Sequence, residues 1–550
     1  MKRYLSLAAI LLASVIAVQA QGTSGILFNR DIVSASSLLS LSQRESVGTA
    51  RSMGMGGAFT SLGADMASFG YNPAGFGMYQ RNEISATLGM GIAQAKNYNA
   101  YSEDLRNTAV RVAINNIGAS FKVYESSGKL TAINFAVGYN KTADYNYDMN
   151  YAGPTSVSSL ADAFADIANA NGLLINSNNK ITDPNGYTDY DMNPYFWGAV
   201  MGYKGGLINK GANGWYPDEI ANGAQMSQYT SLQSRGSAGE FSFAFGFNFN
   251  NVFYLGASLD IQSIQRKQTI YYNEYIDYPQ GSQPNAADYP YQLRDFEFGQ
   301  RMKVDGTGIG AKFGIVIRPV EALRIGLAVH TPTYYSMLYS YSASLSSAAL
   351  SAGDNPYGWE VVNGNVYADE YTPILKDGGE NRWCFTTPTR LLTGVSCAIG
   401  PYAVISADYE YSAYRSLKLN YAPADTGYTN ATFYNSLKGT HTIRGGIEAK
   451  PTPWLSLRVG GGYRSGVLGK NYDTVAFSEP IADKLWYASA GIGFRLGEVT
   501  SIDLAYQYRN TRYSDYYTFR TQLGDIPNES PLYGLDMINH NIALTFAFRF

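Results

Sequence analysis

Long runs in which apolar and polar residues alternate constrain the fold of this chain more than any other feature. From Glu83 to Ala93 every second residue is apolar, and from Glu240 to Phe249 every second residue is phenylalanine. A period of two is typical of β-strands whose two faces meet different surroundings. The sequence predicts fourteen such strands, at about 83–93, 111–124, 130–141, 238–249, 252–266, 300–317, 322–332, 386–399, 402–413, 439–449, 454–465, 484–495, 501–511 and 536–550.

The connections between these strands alternate between short and long. Asn250-Asn251 and Gly400-Pro401 are tight-turn sequences, whereas the longest connection, 142–237, includes a predicted amphipathic helix at 157–174. Strict alternation places all turns at one end and all loops at the other, as in an up-and-down barrel. We therefore predict an all-β fold, in which residues 83–550 form a 14-stranded antiparallel transmembrane β-barrel with periplasmic turns and long extracellular loops.

Charged residues on the polar face of these strands favour a membrane barrel with a filled interior. A soluble β-sandwich turns its charges to water, whereas a membrane barrel turns its apolar face to lipid and its charges to the lumen. The number and length of the strands favour the membrane barrel. Charges on the predicted inner face are of both signs and include Asp408, Arg444, Glu448 and Arg458. Such charges can pair with one another inside a plugged lumen.

The first twenty residues have the pattern of a leader peptide. Lys2 and Arg3 precede an apolar run from Leu5 to Val18, and Ala20 completes a small-residue cleavage site. We predict a Sec signal peptide over residues 1–20 and a mature protein in the cell outer membrane, in contact with outer-membrane lipid. No other run is long and apolar enough to predict a transmembrane helix. The net charge of only -3 gives no reason to expect a nucleic-acid partner.

The last strand alternates to the final residue of the sequence. Ile542, Leu544, Phe546 and Phe548 share one face with the terminal Phe550. This pattern resembles the C-terminal insertion signal of outer-membrane barrels, in which a terminal aromatic residue is recognised by the barrel-assembly machinery. Phe550 is therefore the predicted assembly signal.

Residues 21–82, which precede the first strand, do not alternate and have no core of their own. Asp65 and Asn72 are predicted caps of two short helical turns, with Pro73 at the first position of the second. Glycine allows a backbone to approach a wall closely, and the glycines concerned are Gly54, Gly56 and Gly57. We predict that this segment is a hatch inside the barrel.

Flexible apolar side chains within the hatch could accept a lipid tail. These candidate ligand contacts are Met53, Met55, Phe59 and Met66. The alternative is that they only fill the lumen.

The sequences Gly54-Met55-Gly56-Gly57-Ala58-Phe59 and Asn72-Pro73-Ala74-Gly75, with the fourteen strands and terminal Phe550, resemble FadL-type outer-membrane transporters of long-chain fatty acids and aromatic hydrocarbons. The resemblance implies that the N-terminal segment is a hatch to which Asn72, Pro73 and Ala74 belong. It also implies that a kinked third strand opens a side passage toward the bilayer. The predicted third strand contains no proline, and only Gly138 indicates a break there.

Three functions of different classes are compatible with these features. The first is passive uptake of a hydrophobic small molecule, which aromatic loop residues such as Tyr334 and Tyr335 catch and pass to an apolar pocket above a gating hatch. These tyrosines could instead belong to the aromatic girdle. The second is a solute porin, which needs a gap beside the hatch. The third is a barrel whose long loops bind a protein of a secretion or surface-display system.

Other chemistry has little support in the sequence. The three histidines have no metal-like spacing, and we predict no cofactor, no metal and no enzyme activity. Asp189, Asp191 and Asn193 imitate the start of a calcium loop, but Pro194 stands where glycine is needed. Cys384 and Cys397 lie about 40 Å apart if the chain between them is extended. We predict two free thiols.

Overall fold

The computed structural model describes residues 23–24, 26–28, 34–45, 48–98, 106–156, 158–217, 225–277, 291–352, 359–367, 382–422, 426–472, 479–521 and 527–550. The predicted signal peptide, residues 1–20, lies outside the described residues. Across the described residues, fourteen antiparallel strands form a closed barrel. They are β1 Glu83–Tyr98, β2 Arg106–Glu125, β3 Leu130–Asp144, β4 Gln225–Phe249, β5 Phe253–Asp277, β6 Tyr291–Val320, β7 Leu323–His330, β8 Arg390–Ile399, β9 Ala403–Ser412, β10 Thr440–Thr452, β11 Leu455–Arg464, β12 Ala482–Leu496, β13 Thr500–Tyr513 and β14 Leu532–Arg549.

The barrel closes between its first and last strands. Each strand pairs with the next, and β14 pairs with β1 from Glu83 opposite Arg549 to Tyr98 opposite Gly534. Closure leaves no sheet edge without hydrogen bonds, which a lipid-embedded sheet requires. The predicted strand order and strand number are confirmed.

The two faces of the wall differ as the alternation predicts. Phe243 and Phe548, on the outer face, are 38% and 50% exposed, whereas Asp260 and Lys312 point into the barrel and are 1% and 2% exposed. Inside, the charges pair: Lys312 Nζ lies 2.6 Å from a Glu240 oxygen. The wall therefore offers an apolar surface to lipid and buries paired charges in its lumen.

The end of the barrel that carries the long connections, the loop end, continues well beyond the membrane. β5 has 25 residues, whereas a strand needs about 9–11 to cross the hydrocarbon core. Further strands of the loop end are Tyr147–Ser156, Tyr334–Ala352, Trp359–Tyr367, Arg382–Thr386 and Lys418–Tyr421, and its helices are α3 Leu160–Ala170, α4 Trp197–Lys204 and α5 Thr426–Ser436. The helix predicted at 157–174 is present in shorter form as α3. No described helix is both long and apolar enough to span a membrane.

The chain before β1 runs through the barrel from the loop end to the opposite end, the turn end. Thr23 pairs with Thr521 of the last long connection, and the backbone N–H of Ile26 donates to the Tyr517 carbonyl over 3.1 Å. Helices α1, Ala35–Ser42, and α2, Ala50–Gly54, follow. The chain then reaches Tyr79, whose hydroxyl donates to Glu83 at the start of β1 over 2.9 Å. The structure also confirms that Cys384 and Cys397 are free thiols.

Candidate functional site

The segment from Thr49 to Tyr79, here called the hatch, contains three short helical turns. Thr49 caps α2 through Ser52 N–H, and Asp65 caps a 3-10 turn at Met66–Phe69. Asn72 caps a second 3-10 turn at Pro73–Met78 by accepting from Ala74 N–H. The two predicted caps are therefore present. The two 3-10 turns pack on each other through Phe69 and Phe76, whose ring centres are 4.5 Å apart, and this cluster also includes wall residues Ala136 and Ala244. Because the turns are short, their position depends on the surrounding wall.

The hatch lies against the wall at glycine positions on both surfaces. Gly56 and Gly57 have φ values of 64° and 71°, which other residues rarely adopt. A Cβ on wall residue Gly446 would lie within 3 Å of the Met55 carbonyl oxygen, and one on Gly460 would lie equally close to the Gly56 nitrogen. The same holds around the barrel at Gly246, Gly256, Gly314 and Gly326, which face other hatch residues. The backbones therefore touch directly.

Polar wall side chains bind the hatch backbone at several points around the lumen. One Asp408 carboxylate oxygen accepts from the N–H groups of Phe59 and Thr60 and from the Thr60 hydroxyl, each over 2.7 Å. Lys312 Nζ donates to the Phe69 carbonyl over 2.6 Å, and the Tyr487 hydroxyl donates to the Gly56 carbonyl over 2.8 Å. Bonds to a charged partner are about twice as strong as neutral ones, so Asp408 is a main anchor.

Asn72 joins the hatch to two wall strands. Its Nδ2 donates to the Thr60 carbonyl within the hatch over 2.8 Å and to the wall carbonyls of Ile315 on β6 over 3.2 Å and Leu327 on β7 over 3.4 Å, while its Oδ1 caps the following turn. Pro73 and Ala74 lie against Gly256 of β5. The three residues that the family resemblance assigns to the hatch are thus at its interface with the wall.

An ion-pair network extends from the hatch to the turn end. Arg51 Nε lies 3.0 Å from a Glu448 oxygen. Arg458 lies 2.6 Å from the same carboxylate and 2.5 Å from Asp503. The predicted mixed-sign lumen is therefore paired, and one hatch cation takes part in it.

The apolar hatch residues pack against protein. Met53 belongs to a small cluster with Ala50, Ala505 and Ala543, and each of the candidate ligand contacts is at most 4% exposed, namely Met53, Met55, Phe59 and Met66. None of them lines either of the cavities described next. Their arrangement is that of lumen filling, the alternative noted for them from the sequence.

The tyrosine pair predicted to catch ligand is divided between the two faces of its strand. Tyr334 is 48% exposed on the outside, while Tyr335 is 2% exposed inside, with its ring stacked on Phe385 at 5.0 Å. Adjacent strand residues must point to opposite sides. Only Tyr335 can therefore meet a molecule inside the barrel.

The hatch separates two cavities. The turn-end cavity has charged walls that include Arg51, Glu448 and Arg458. On the loop side lies a smaller cavity, of about 120 Å³ against about 640 Å³ at the turn end, which is lined by polar and aromatic residues and is here called the arginine chamber. Its arginines are Arg44, Arg390, Arg444, Arg464 and Arg509, its acids are Glu45, Asp144 and Glu410, and its tyrosines are Tyr145, Tyr147, Tyr414, Tyr487 and Tyr513.

The arginine chamber differs from the apolar pocket expected directly above the hatch. Tyr487 and Arg444 form its floor, since Tyr487 binds the Gly56 carbonyl and the Arg444 guanidinium lies 5.7 Å from the centre of the Tyr71 ring. No local pattern in the sequence indicates this arrangement, because its residues come from many strands and from the segment beside α1.

The wall has a seam beside the chamber, between β2 and β3. The ladder between these strands runs from Glu125 and Ala132 to Asn116 and Asn140 and ends there, although β2 continues to Arg106. Gly138, predicted as a break, is paired with Gly118 in the continuous part. On its other side Gly138 pairs with Ser242 of β4, so β3 has no break at this residue. The ladder between β2 and β3 ends two residues later, at Asn140.

A buried carboxylate secures the largest connection at the loop end. Glu274 lies near the end of β5, outside the membrane, and accepts from the N–H of Leu160 at the start of α3 over 3.1 Å. Burial raises the pKa of Glu274 to about 7, against the opposing effect of its hydrogen bonds from Ser159, Tyr272 and Leu160. The helix position therefore depends on a group that titrates near neutral pH.

The remaining candidate residues have simpler surroundings. Asp189, considered for calcium, accepts from Ile181 N–H over 3.0 Å and pairs with Lys204 over 2.9 Å. Among the described residues there is no group of three metal-ligating side chains. Phe550 is half exposed on the outer face, and its N–H donates to the Asn82 carbonyl over 3.1 Å.

A closed barrel with a lipid-facing wall and a lumen crossed by a bound hatch defines a plugged membrane channel. The family model described as "Outer membrane protein transport protein (OMPP1/FadL/TodX)" matches residues 184–549, more than half of the chain. The chain belongs to this family and is an outer-membrane transport protein.

Several solved structures match this chain over most of its length at low sequence identity. The toluene transporter TodX of Pseudomonas putida has 11% identity and a TM-score of 0.47, covering 92% of this chain and 100% of its own. A FadL homologue of Pseudomonas aeruginosa has 12% identity and a TM-score of 0.49, and the match covers 92% of this chain and 99% of the homologue. The toluene transporter TbuX of Ralstonia pickettii has 13% identity and a TM-score of 0.46, and the match covers 93% of this chain and 99% of TbuX. No curated protein sequence matches the chain.

Proposed function

We propose that this protein mediates passive uptake of hydrophobic small molecules across the outer membrane, with the hatch closing the direct route through the lumen. The loop end then faces outward and the turns and C-terminus face the periplasm. The observation that carries the proposal is the position of the seam. Ala143, Asp144 and Tyr145, at the end of β3, line the arginine chamber, and the β2–β3 ladder stops beside them at Asn140.

A route that leaves through the seam avoids the hatch. Gly118 and Gly138, in the last continuous part of the ladder, lie against Phe69 of the hatch, so the seam begins on the loop side of it. The outer edge of the seam carries Val110 and Val112, which are 64% and 67% exposed. An apolar molecule that enters the chamber could therefore pass sideways into the bilayer while the hatch stays seated.

A tryptophan in the seam tests this route. Ala113 alternates with the outward-facing Val112 and Ile114 on the part of β2 that pairs with β1 but not with β3. Ala113→Trp should therefore narrow the passage from the inside. Ala119→Trp is the matched control, because Ala119 faces outward where β2 and β3 are paired. We expect cells that make the wild-type protein or Ala119→Trp to take up labelled oleate faster than cells without it.

Ala113→Trp should lose most of this gain while remaining a heat-modifiable barrel on gels. If Ala113→Trp transports as fast as wild type, the lateral route is wrong. If the wild-type protein gives no uptake of oleate or toluene above the empty host, the proposed function itself fails.

A further inference from the structure

We infer that the turn-end cavity is a docking site for an acidic segment of a periplasmic protein. The inference goes beyond the proposed function and takes from it only the orientation of the barrel, in which the turn end faces the periplasm. The starting observation is the charge of the side chains that line the cavity. Its acids are Glu448, Glu498 and Asp503, and its cations are Arg51, Arg81, Arg324, Lys450, Arg458, Arg495 and Arg549.

The two inner acids of the cavity are shared among three cations. One Glu448 oxygen lies 2.6 Å from Arg458 Nε, and the other lies 3.6 Å from Lys450 Nζ. Arg51 of the hatch lies 3.0 Å from the same carboxylate. Asp503 pairs with Arg458 over 2.5 Å. Because each carboxylate carries one negative charge, this group keeps one positive charge in excess.

Two further pairs in the cavity are neutral. Arg549 lies 2.6 Å from Glu83, an acid outside the lining. Arg81 lies 3.5 Å from Glu498, but the two side chains are 55% and 85% exposed. An ion pair as exposed as this one contributes little, so Arg81 remains able to meet another anion.

Arg324 and Arg495 add two more positive charges to the lining. Arg324 follows the β6–β7 turn, where its Nη1 lies 3.9 Å from the Met78 sulfur of the hatch. Arg495 is exposed near the end of β12. In the described parts of the chain, no ion pair joins either arginine to an acid. The lining therefore has three positive charges more than its own acids and Glu83 can balance, although the whole chain has a net charge of -3.

The spacing of these charges favours a chain of acidic groups over a single small anion. Arg324 lies on β7 and Arg495 on β12, five strands further around the wall. At about 4.8 Å between neighbouring strands, this is about 24 Å along the wall. One phosphate or carboxylate group therefore cannot pair with both arginines. The cavity holds about 640 Å³, most of which a single small anion would leave empty.

The position of the cavity favours a soluble partner over a lipid head group. The wall beside it is closed, since the β10–β11 ladder extends to Thr452 opposite Leu455 and the β12–β13 ladder to Leu496 opposite Thr500. A head group whose chains remain in the bilayer would have to pass over this rim. Because Arg51 belongs to the hatch, an acidic segment docked in the cavity would lie directly against the hatch.

A fluorescent peptide of eight glutamates tests the inference on the full-length protein in nonionic detergent, and a peptide of eight glutamines is the uncharged control. Fluorescence anisotropy measures binding. At low salt we expect the glutamate peptide to bind about tenfold more tightly than the glutamine peptide, and we expect this preference to shrink at high salt, because salt screens exposed charges. The double variant Arg324→Met/Arg495→Met should lose about three- to thirtyfold in affinity for the glutamate peptide.

Arg318→Met and Arg464→Met are the control variants. Arg318 lies at the same end of the barrel but outside the cavity lining, and its Nε donates to the Glu321 carbonyl over 3.2 Å. Arg464 lines the arginine chamber on the other side of the hatch. Both variants should bind the glutamate peptide as wild type does.

Equal affinities of the wild-type protein for the two peptides would overturn the inference, and this comparison needs no variant to fold. An equal loss of affinity in Arg318→Met or Arg464→Met and in the double variant would also overturn it. Full displacement of the glutamate peptide by inorganic phosphate at the same concentration would show a site for single small anions instead. Full displacement by phosphatidylglycerol in the micelle at that concentration would show a site for lipid head groups. None of these results depends on uptake of oleate, so the proposed function would stand.

Discussion

Replacing Gly446 with alanine should unseat the hatch without altering the chemistry of the lumen. The added Cβ would lie within 3 Å of the carbonyl oxygen, carbonyl carbon and Cα of Met55. These are backbone atoms, so no side-chain rotation can relieve the contact. Overpacking of this kind costs about 1–3 kcal/mol, which corresponds to about 5- to 150-fold in the equilibrium between a seated and a displaced hatch.

The neighbouring glycine supplies a matched control. Gly445 lies one residue earlier on β10, and a Cβ built on it meets nothing within 4 Å. Single-channel recording in planar bilayers measures the frequency of opening events, and we expect it to rise about 5- to 150-fold in Gly446→Ala and to stay at the wild-type level in Gly445→Ala. Equal opening frequencies in the two variants would refute the close seating of the hatch, provided that both migrate as folded barrels.

Three further predictions concern the anchors and ends of the structure. Asp408→Asn should also increase opening events, because it weakens three hydrogen bonds to Phe59 and Thr60 by about 1–3 kcal/mol in total; unchanged recordings would contradict its role as an anchor. Glu274 has a folded-state pKa of about 7, above its unfolded value, so the stability it gives to the loop end should be complete below about pH 4.5 and fall as pH rises to 7. The protection factors of the α3 amides, which are corrected for the intrinsic rise of exchange with pH, should therefore fall over that range in wild type but not in Glu274→Gln, and constant wild-type protection factors would contradict this. Deletion of Phe550 should lower the yield of heat-modifiable barrel, whereas normal yield would argue against the assembly signal.

The sequence predicted those parts of the structure that depend on neighbouring residues. The alternation from Glu240 to Phe249 identified β4, and Asp65 and Asn72 were recognised as caps, because both signals are local. The ends of the long strands were missed: β4 begins at Gln225 and β5 continues to Asp277. Their extensions pair with one another beyond the membrane, where tertiary contacts replace the lipid that sets the usual strand length.

The site was harder to predict because its parts are distant in the sequence. Gly446 and Gly460 appear as ordinary strand glycines until Met55 and Gly56 are placed against them. Likewise, nothing near Arg464 in the sequence indicates that it lines the arginine chamber, since that depends on which strands the fold brings together. The methionines of the hatch, Met53, Met55 and Met66, pack against wall residues, and their contact with a ligand stays a prediction.

A deletion in the hatch tests whether this segment closes the lumen. Removing Arg51 to Gly77 takes away all of the hatch except two residues at each end, and it leaves every strand of the barrel and its ladder hydrogen bonds. In planar bilayers at equal amounts of folded protein, the deleted form should conduct ions far better than the intact chain, because charges such as Arg444, Glu448 and Arg458 would then border open water. If the deleted form folds as a barrel and its conductance equals that of the intact chain, the hatch does not close the lumen.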